Sequence, residues 1–315
     1  MIDLHVVEAT AEHAADVTGV IHHAFSARRV LDPPSTALSE TAGSVAEVLT
    51  SYGGLLATID GRPAGAVLFA VDSGTLGLRR VSVDPRHQGR GVASAMVGCA
   101  EEVAVRRGLG RVRLVARKEL PETVEFWRRR GYTPVEERAH DLVLAKPMPL
   151  ELSIPTAGEM RALGTAVAAQ LRAGDVVVMS GDLGAGKTTF TQGLGAGLGV
   201  RGAVTSPTFV ISRVHPSLGG GPALVHVDAY RLGGFEELDD LALDASLDEA
   251  VTVVEWGHGL AEGLAPDRLD ITVTRGDDSE DETRQVRIVP AGPRWAGSGL
   301  RIDLELEERA DAAGL

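Results

Sequence analysis

The stretch DVVVMSGDLGAGKTTF, residues 175–190, restricts what this chain can fold into more than any other. Gly181, Gly186, Lys187 and Thr188 stand at the spacing G-x-x-x-x-G-K-[ST]. The apolar run before them reads as a strand buried on both faces. A strand, a glycine loop and a helix in that order make a phosphate cradle. Glycines let the backbone approach, several N–H groups converge, and the helix N-terminus adds partial positive charge. Gly181, Asp182, Leu183, Gly184, Ala185, Gly186, Lys187, Thr188 and Thr189 are the candidate nucleotide-binding residues. Lys187 is expected to reach the outer phosphates and Thr188 to offer its hydroxyl to Mg²⁺.

Mg²⁺ takes few protein ligands and keeps several waters, so a further carboxylate is expected at the end of a nearby parallel strand. Asp228 ends the run ALVHVD and Glu255 ends AVTVVE. Both fit by position, as metal ligands beside Thr188 and as catalytic groups beside Lys187.

The 315 residues suggest two domains. Charge separates the halves. Residues 1–150 hold 18 acids and 18 Lys+Arg, whereas residues 151–315 hold 26 acids and 13 bases, the whole of the net −13. An acidic half repels phosphate backbones, so it is a poor nucleic-acid grip on its own. Asparagine is absent, which rules out a guanine-selecting N-K-x-D motif and favours ATP over GTP. No apolar run reaches the ~18 residues of a membrane helix. The first residues lack the apolar block of a signal peptide, and the single Cys99 excludes an intrachain disulfide. The expectation is a cytoplasmic protein without a membrane segment.

Pro147, Pro149 and Pro155 cluster where the charge balance changes, which places a domain boundary at about 148–151. The first half reads as a strand at Leu4–Val7, helical segments to Thr50, hairpin strands over 54–83, a helix from Gly89 to Arg107, strand 112–116, helix 121–130 and strand 141–146. The second half reads as strand 150–154, a helix opened by the capping-box pair Thr156 and Glu159, the cradle, strands 223–228 and 250–255, and a hairpin around the acidic tip Asp277–Glu282. Residues 296–315 form an acidic tail without an assigned role. The fold class expected is α/β in two domains: a mixed, mostly antiparallel sheet, then a P-loop sheet, each with flanking helices.

A second glycine loop, RHQGRG at Arg86–Gly91, also lies between a strand and a helix and suits a pyrophosphate. Its R-x-x-G-x-G spacing alone is weak.

In the second half, GDLGAGKTTF, SPTF at 206–209, HVDAYRL at 226–232 and EW at 255–256 follow one another in the order of the TsaE family, also called YjeE. The resemblance spans about 151–295, including the closing RIVPAGPRW. It implies the ATPase component of the machinery that forms N6-threonylcarbamoyladenosine at position 37 of tRNA, working with TsaB and TsaD and meeting tRNA through that complex. It further implies that Thr208 belongs to a nucleotide-sensing switch, that Asp228, Tyr230 and Arg231 belong to an H-x-D-x-Y-R stretch with Arg231 toward ATP, and that Glu255 serves Mg²⁺ or the attacking water. Trp256 is its neighbour.

Residues 1–147 resemble the GNAT acetyltransferases through LRRVSV, RHQGRGVA, the long helix, VRLVA and FWRRRGY. The ligand implied is acetyl-CoA, held by Val81, Val83, Arg86, Gln88, Gly89, Arg90, Gly91 and Val92, with Arg128–Arg130 facing the 3′-phosphate or simply solvent. Many family members place a tyrosine four residues before the final glycine, where it protonates the leaving thiolate. Here Trp127 stands at that position, and an indole N–H is not a useful acid. Glu40, Glu47 and Asp84 are candidate bases. Cys99 has core spacing rather than a nucleophile's setting.

The combined expectation is a P-loop ATPase supporting tRNA threonylcarbamoylation, fused to an acetyl-CoA-dependent N-acetyltransferase of unspecified acceptor amine. Two alternatives stay open. The P-loop half is an ATP-gated binding module beside a degenerate acyl-CoA sensor, or it is a small-molecule kinase.

Overall fold

Strand β9, Val176–Ser180, shows how the second half is layered. Val177 and Met179 enter one apolar cluster and Val176 and Val178 another. Successive side chains of a strand point to opposite faces, so both faces of this sheet are covered. The computed structural model describes residues 3–29, 31–207, 210–232, 237, 248–261, 263–276, 282–300 and 302. The chain divides into two units, one of Met1–Met148 with Ala296–Gly299 and one built around Pro149–Trp295.

The first unit has seven described strands: β1 Leu4–Glu8, β2 Gly54–Ile59, β3 Arg62–Asp72, β4 Thr75–Val83, β5 Arg111–Arg117, β6 Thr133–Glu137 and β7 Asp141–Pro147. Their order is β1-β2-β3-β4-β5-β7-β6. Only β4 and β5 pair in parallel, and only from Thr75 opposite Arg111 to Leu78 opposite Leu114. Beyond Leu78 the register of β4 against β3 shifts, with Arg80 at φ 52°. An extra residue of this kind bends a strand away from its neighbour, and a cavity of about 670 Å³ opens between the unpaired ends of β4 and β5. Helices α1 (Ala14–Ser26) and α2 (Ala42–Ser51) cover one face of the sheet. Helices α3 (Val92–Arg106) and α4 (Pro121–Arg128) pack on the other cluster.

The second unit orders its seven described strands β10-β11-β12-β9-β13-β14-β8. These are β8 Leu150–Ile154, β10 Ser212–His215, β11 Ala223–Asp228, β12 Ala250–Glu255, β13 Arg268–Arg275 and β14 Arg284–Ala291, with β9 at the centre. The strands β11-β12-β9-β13 are parallel. Their register sets Asp228 opposite Glu255 and Glu255 opposite Met179, so both acids stand at the carboxyl edge where the chain leaves β9. Ligands of open parallel sheets bind at that edge. Helix α5 (Ala157–Ala168) and α6 (Lys187–Gly197) contribute to one core cluster.

The expected elements form. Strands β6 and β10 were not foreseen: both are short edge strands with charged, exposed residues and no clean alternation. Thr156 caps α5 by accepting from the Glu159 N–H at 3.2 Å. The Glu159 carboxylate accepts from the Thr156 hydroxyl at 2.8 Å, in place of the backbone N–H that a full capping box uses.

Candidate functional site

The glycine loop after β9 turns through Gly181 (φ 130°), Gly184 (φ 74°) and Gly186 (φ 112°), conformations that side-chain-bearing residues rarely adopt. Leu183, Gly184, Ala185, Gly186, Lys187, Thr188 and Thr189 line a cleft of about 260 Å³ with Ser206, Asp228, Tyr230, Glu255 and Trp256. Lys187 is buried. Its Nζ donates to the carbonyls of Gly181 (2.6 Å) and Asp182 (2.9 Å), within the loop it follows. It also lies 3.7 Å from the Trp256 ring centroid, a cation–π contact. Burial lowers its pKa, opposed by the charges of Glu255, Asp228 and Asp182. An ammonium so placed is a desolvated charge facing the cleft.

Glu255 is the hub of the site. Its carboxylate accepts from the Thr188 hydroxyl (3.1 Å) and the Thr191 hydroxyl (3.4 Å), and Nε2 of His226 lies 2.8 Å from it. Both His226 and Glu255 are buried. Asp228 accepts from the Ser206 hydroxyl at 3.3 Å and from the Tyr230 N–H at 3.1 Å. Lys187–Thr188, Asp228 and Glu255, from three separate segments, therefore meet in one cleft. Arg231 is exposed and outside the lining. Thr208 and most of the acidic tip lie outside the described residues.

Sequence reasoning missed His226, Thr191 and Ser206 as parts of this site. The signal for His226 was present: it stands two residues before Asp228 on one strand, and such residues share a face. Thr191 follows Thr188 by three residues on α6, one helical turn.

In the first unit, the turn between β4 and α3 is built on Asp84. This buried carboxylate accepts from the Arg86 N–H (2.9 Å), Nε (3.0 Å) and Nη2 (2.8 Å), and lies 3.2 Å from His23 Nδ1. The Arg86 hydrogen bond outweighs burial and holds the Asp84 carboxyl well below its ordinary range. Gly89 and Gly91 follow at φ 75° and 82°, and Gly91 precedes α3. Val81, Val83 and Gln88 line the cavity. Arg86, Gly89, Arg90, Gly91 and Val92 are outside its lining: the Arg86 guanidinium is engaged by Asp84, and the Val92 side chain is in the core.

The candidate bases do not behave alike. Glu40 is bound to Arg80 at 2.9 Å and to Ser44; burial would raise its pKa, but these bonds lower it. Glu47 is exposed on α2, and Asp84 is locked in the turn. The acids on the cavity wall are Glu122 and Asp141. Trp127 lines the cavity, buried, with its ring edge-on to Phe126 (5.2 Å) and Tyr132 (5.0 Å). Tyr132 is buried outside the cavity lining, and desolvation pushes its phenol far up. Arg130 stacks on Phe126 and bonds to Ser94, while Arg128 and Arg129 are exposed. Cys99 is partly buried on α3, with its thiol pushed up by burial.

The model of the threonylcarbamoyl adenosine biosynthesis protein TsaE family matches residues 154–286. The TsaE protein of Streptomyces coelicolor is 61% identical over 145 residues, which are 45% of this chain and 98% of that protein. The chain belongs to the TsaE family. The TsaE protein of Mycobacterium bovis is 47% identical over 135 residues, 41% of this chain and 80% of that one. The acetyltransferase (GNAT) family model matches residues 25–132. A solved PaiA N-acetyltransferase from Thermoplasma acidophilum, in complex with coenzyme A, matches 46% of this chain and 99% of its own at 12% identity and a TM-score of 0.42. Among the described residues, no helix is long and apolar enough to cross a membrane.

Proposed function

We propose that the second unit binds ATP with Mg²⁺ and hydrolyses it in support of tRNA N6-threonylcarbamoyladenosine formation, with TsaB and TsaD as its partners. One observation carries this reading: Lys187, Thr188, Asp228 and Glu255 converge on one glycine-loop cleft. The donor set fits the metal. A hydroxyl and two carboxylates are hard oxygen ligands, and nucleotide phosphates and water complete the shell of an ion that takes few protein ligands. Thr188, Asp228 and Glu255 would hold Mg²⁺, which would neutralise phosphate charge when bound.

The chain's own residues do the rest. The loop N–H groups and the N-terminus of α6 receive the phosphates, and Lys187 exchanges the loop carbonyls for phosphate oxygens. His226 and Thr191 hold Glu255 in one orientation, so the carboxylate is preorganised rather than floppy. Hydrolysis moves the terminal phosphoryl group to water and releases ADP. Leu183 and Tyr230, exposed at the cleft, offer apolar surface that a partner would cover. Steady-state ATP hydrolysis tests the reading: slow turnover alone, faster with TsaB and TsaD, and none in Lys187→Ala. Turnover indifferent to those partners removes the tRNA assignment.

The first unit we read as an acetyl-CoA-dependent N-acetyltransferase. Support comes from the cavity between the splayed strands β4 and β5, and from the glycine turn that starts α3. Acetyl-CoA titration tests binding, and product formation tests transfer.

A further inference from the structure

The cavity of the first unit holds a feature that acetyl-CoA does not use up. Five arginines stand on its wall: Arg28, Arg79, Arg80, Arg113 and Arg117. Three are matched by acids within hydrogen-bond reach, Arg80 by Glu40 (2.9 Å), Arg113 by Glu136 (2.9 Å) and Arg117 by Glu119 (2.8 Å). Arg79 adds its charge to the field at Glu40. Neither Arg28 nor Arg79 has a carboxylate within ion-pair distance among the described residues; of the two, Arg28 is the one whose charge is desolvated. Its guanidinium lies 4.1 Å from the Phe25 ring centroid and donates to the Val81 carbonyl at 3.2 Å. The residue as a whole is exposed, and desolvation of its guanidinium lowers its pKa without an acid to oppose it.

Position separates Arg28 from the glycine turn. On α1, His23 meets Asp84 at that turn. Arg28 lies five residues further on and meets Val81, back along β4 toward the bulge at Arg80. Thus it borders the part of the cavity where β4 and β5 part, away from the loop that suits a pyrophosphate. The walls around it are apolar, with Phe25, Leu78, Val81, Leu114 and Phe126. A charge in such surroundings gains most from a complementary ion, and a planar guanidinium fits a carboxylate in particular. Glu122, at the start of α4, and Asp141 are the acids on the same wall.

We infer that the acceptor of this unit is an amine that carries a carboxylate, and that Arg28 binds that carboxylate. This rests on the acetyl-transfer reading above. The shared chemistry has two sources, the α-carboxylate of a free amino acid or an acidic side chain next to a peptide's N-terminus.

The test is calorimetric titration of the full chain, saturated with acetyl-CoA, with two matched pairs: alanine against alaninamide, and alanyl-aspartyl amide against alanyl-asparaginyl amide. Acetylated product is followed by mass spectrometry. The charged member of one pair should bind and react at least about tenfold better, and the pair that shows it identifies the source. Arg28→Gln should remove the preference while leaving the acetyl-CoA dissociation constant unchanged, and Arg28→Lys should keep part of it. Equal behaviour of both members in both pairs overturns the inference, as does a preference that survives Arg28→Gln. Loss of acetyl-CoA affinity in Arg28→Gln also overturns it, because Arg28 then serves the cofactor. If wild-type chain does not bind acetyl-CoA, the acetyl-transfer reading fails by itself, and the same titration of the unloaded chain decides the anion site.

Discussion

The two glycine loops start alike and end differently. Each follows a strand, and each sets a left-handed glycine immediately before a helix, Gly91 at φ 82° and Gly186 at φ 112°. The loop at 181–186 is wedged into its sheet: a Cβ on Gly181 would lie 2.0 Å from the Val273 carbonyl oxygen. It also carries a buried cation, Lys187, and faces two buried acids. The turn at 86–91 is open, with nothing within 4 Å of a Cβ on Gly89 or Gly91, and its Arg86 is spent on Asp84. The first loop builds reactive side chains into the core. The second offers mainly backbone, so its chemistry depends on what the neighbouring cavity supplies.

That contrast is broken most directly at Lys187. Lys187→Ala should lower ATP turnover by at least about 100-fold if the cleft holds phosphates as proposed, since its lining has no other cation among the described residues. Stopped turnover assays read it, and residual activity above a tenth of wild type would show that the loop backbone alone suffices. Next come the glycines. Gly181→Ala forces β13 to move as well as straining the backbone, and should cost about 3 kcal/mol or more. Gly89→Ala strains only the backbone and should cost about 1 kcal/mol. Equal losses in urea unfolding would abolish the distinction between a wedged loop and an open turn.

This difference also explains what could be read in advance. The cradle at 181–188 was legible because its chemistry is local: strand, glycines, lysine and threonine are consecutive. Asp228 and Glu255 were legible because an acid at the end of an apolar strand lands at the sheet's carboxyl edge. Glu255's three donors were harder to see, because His226 joins it through the parallel register of β11 and β12 and Thr191 through the packing of α6 on the sheet. In the first unit the strands were readable from hairpin turns, yet the bulge at Arg80 has no sequence mark. The cavity follows from that bulge, and Arg28 reaches its wall from the end of α1, so neither was visible. Asp84 had the opposite fate: an acid beside a glycine turn looked like a base, and it is the turn's clamp.

His226 tests whether the deep site depends on support as well as on contact. His226→Ala should reduce kcat for ATP about tenfold with KM within twofold, because Glu255 keeps its place but loses its orientation. His226→Gln, which can still donate, should recover part of kcat. A change confined to KM would mean that the histidine shapes binding instead. In the open turn, Asp84→Asn should cost about 1 kcal/mol at pH 7, the value of a lost cap. Asp84's depressed carboxyl contributes stability that is present above its unfolded pKa of about 4 and fades as pH falls through the lower folded value. The gap between wild type and Asp84→Asn should therefore narrow below about pH 4. Thermal unfolding from pH 7 to pH 2 measures this, and a constant gap would show that the carboxylate's charge is not what clamps the turn.

Trp127 should give the smallest effect, and it sharpens the comparison at its weaker end. Its ring is buried between Phe126 and Tyr132 on the cavity wall. Trp127→Phe keeps an aromatic edge-on partner and removes only the indole N–H and some volume. An indole N–H does not protonate a thiolate near neutral pH, so a reaction that runs in wild type cannot draw its proton from this ring. Acetyl transfer at saturating acetyl-CoA should stay within about twofold, with a packing loss of about 1–2 kcal/mol seen only in unfolding. A drop beyond tenfold in a folded, acetyl-CoA-binding variant would place the indole in the chemistry. The open turn's cavity would then hold a working side chain after all, as the glycine-loop cleft does.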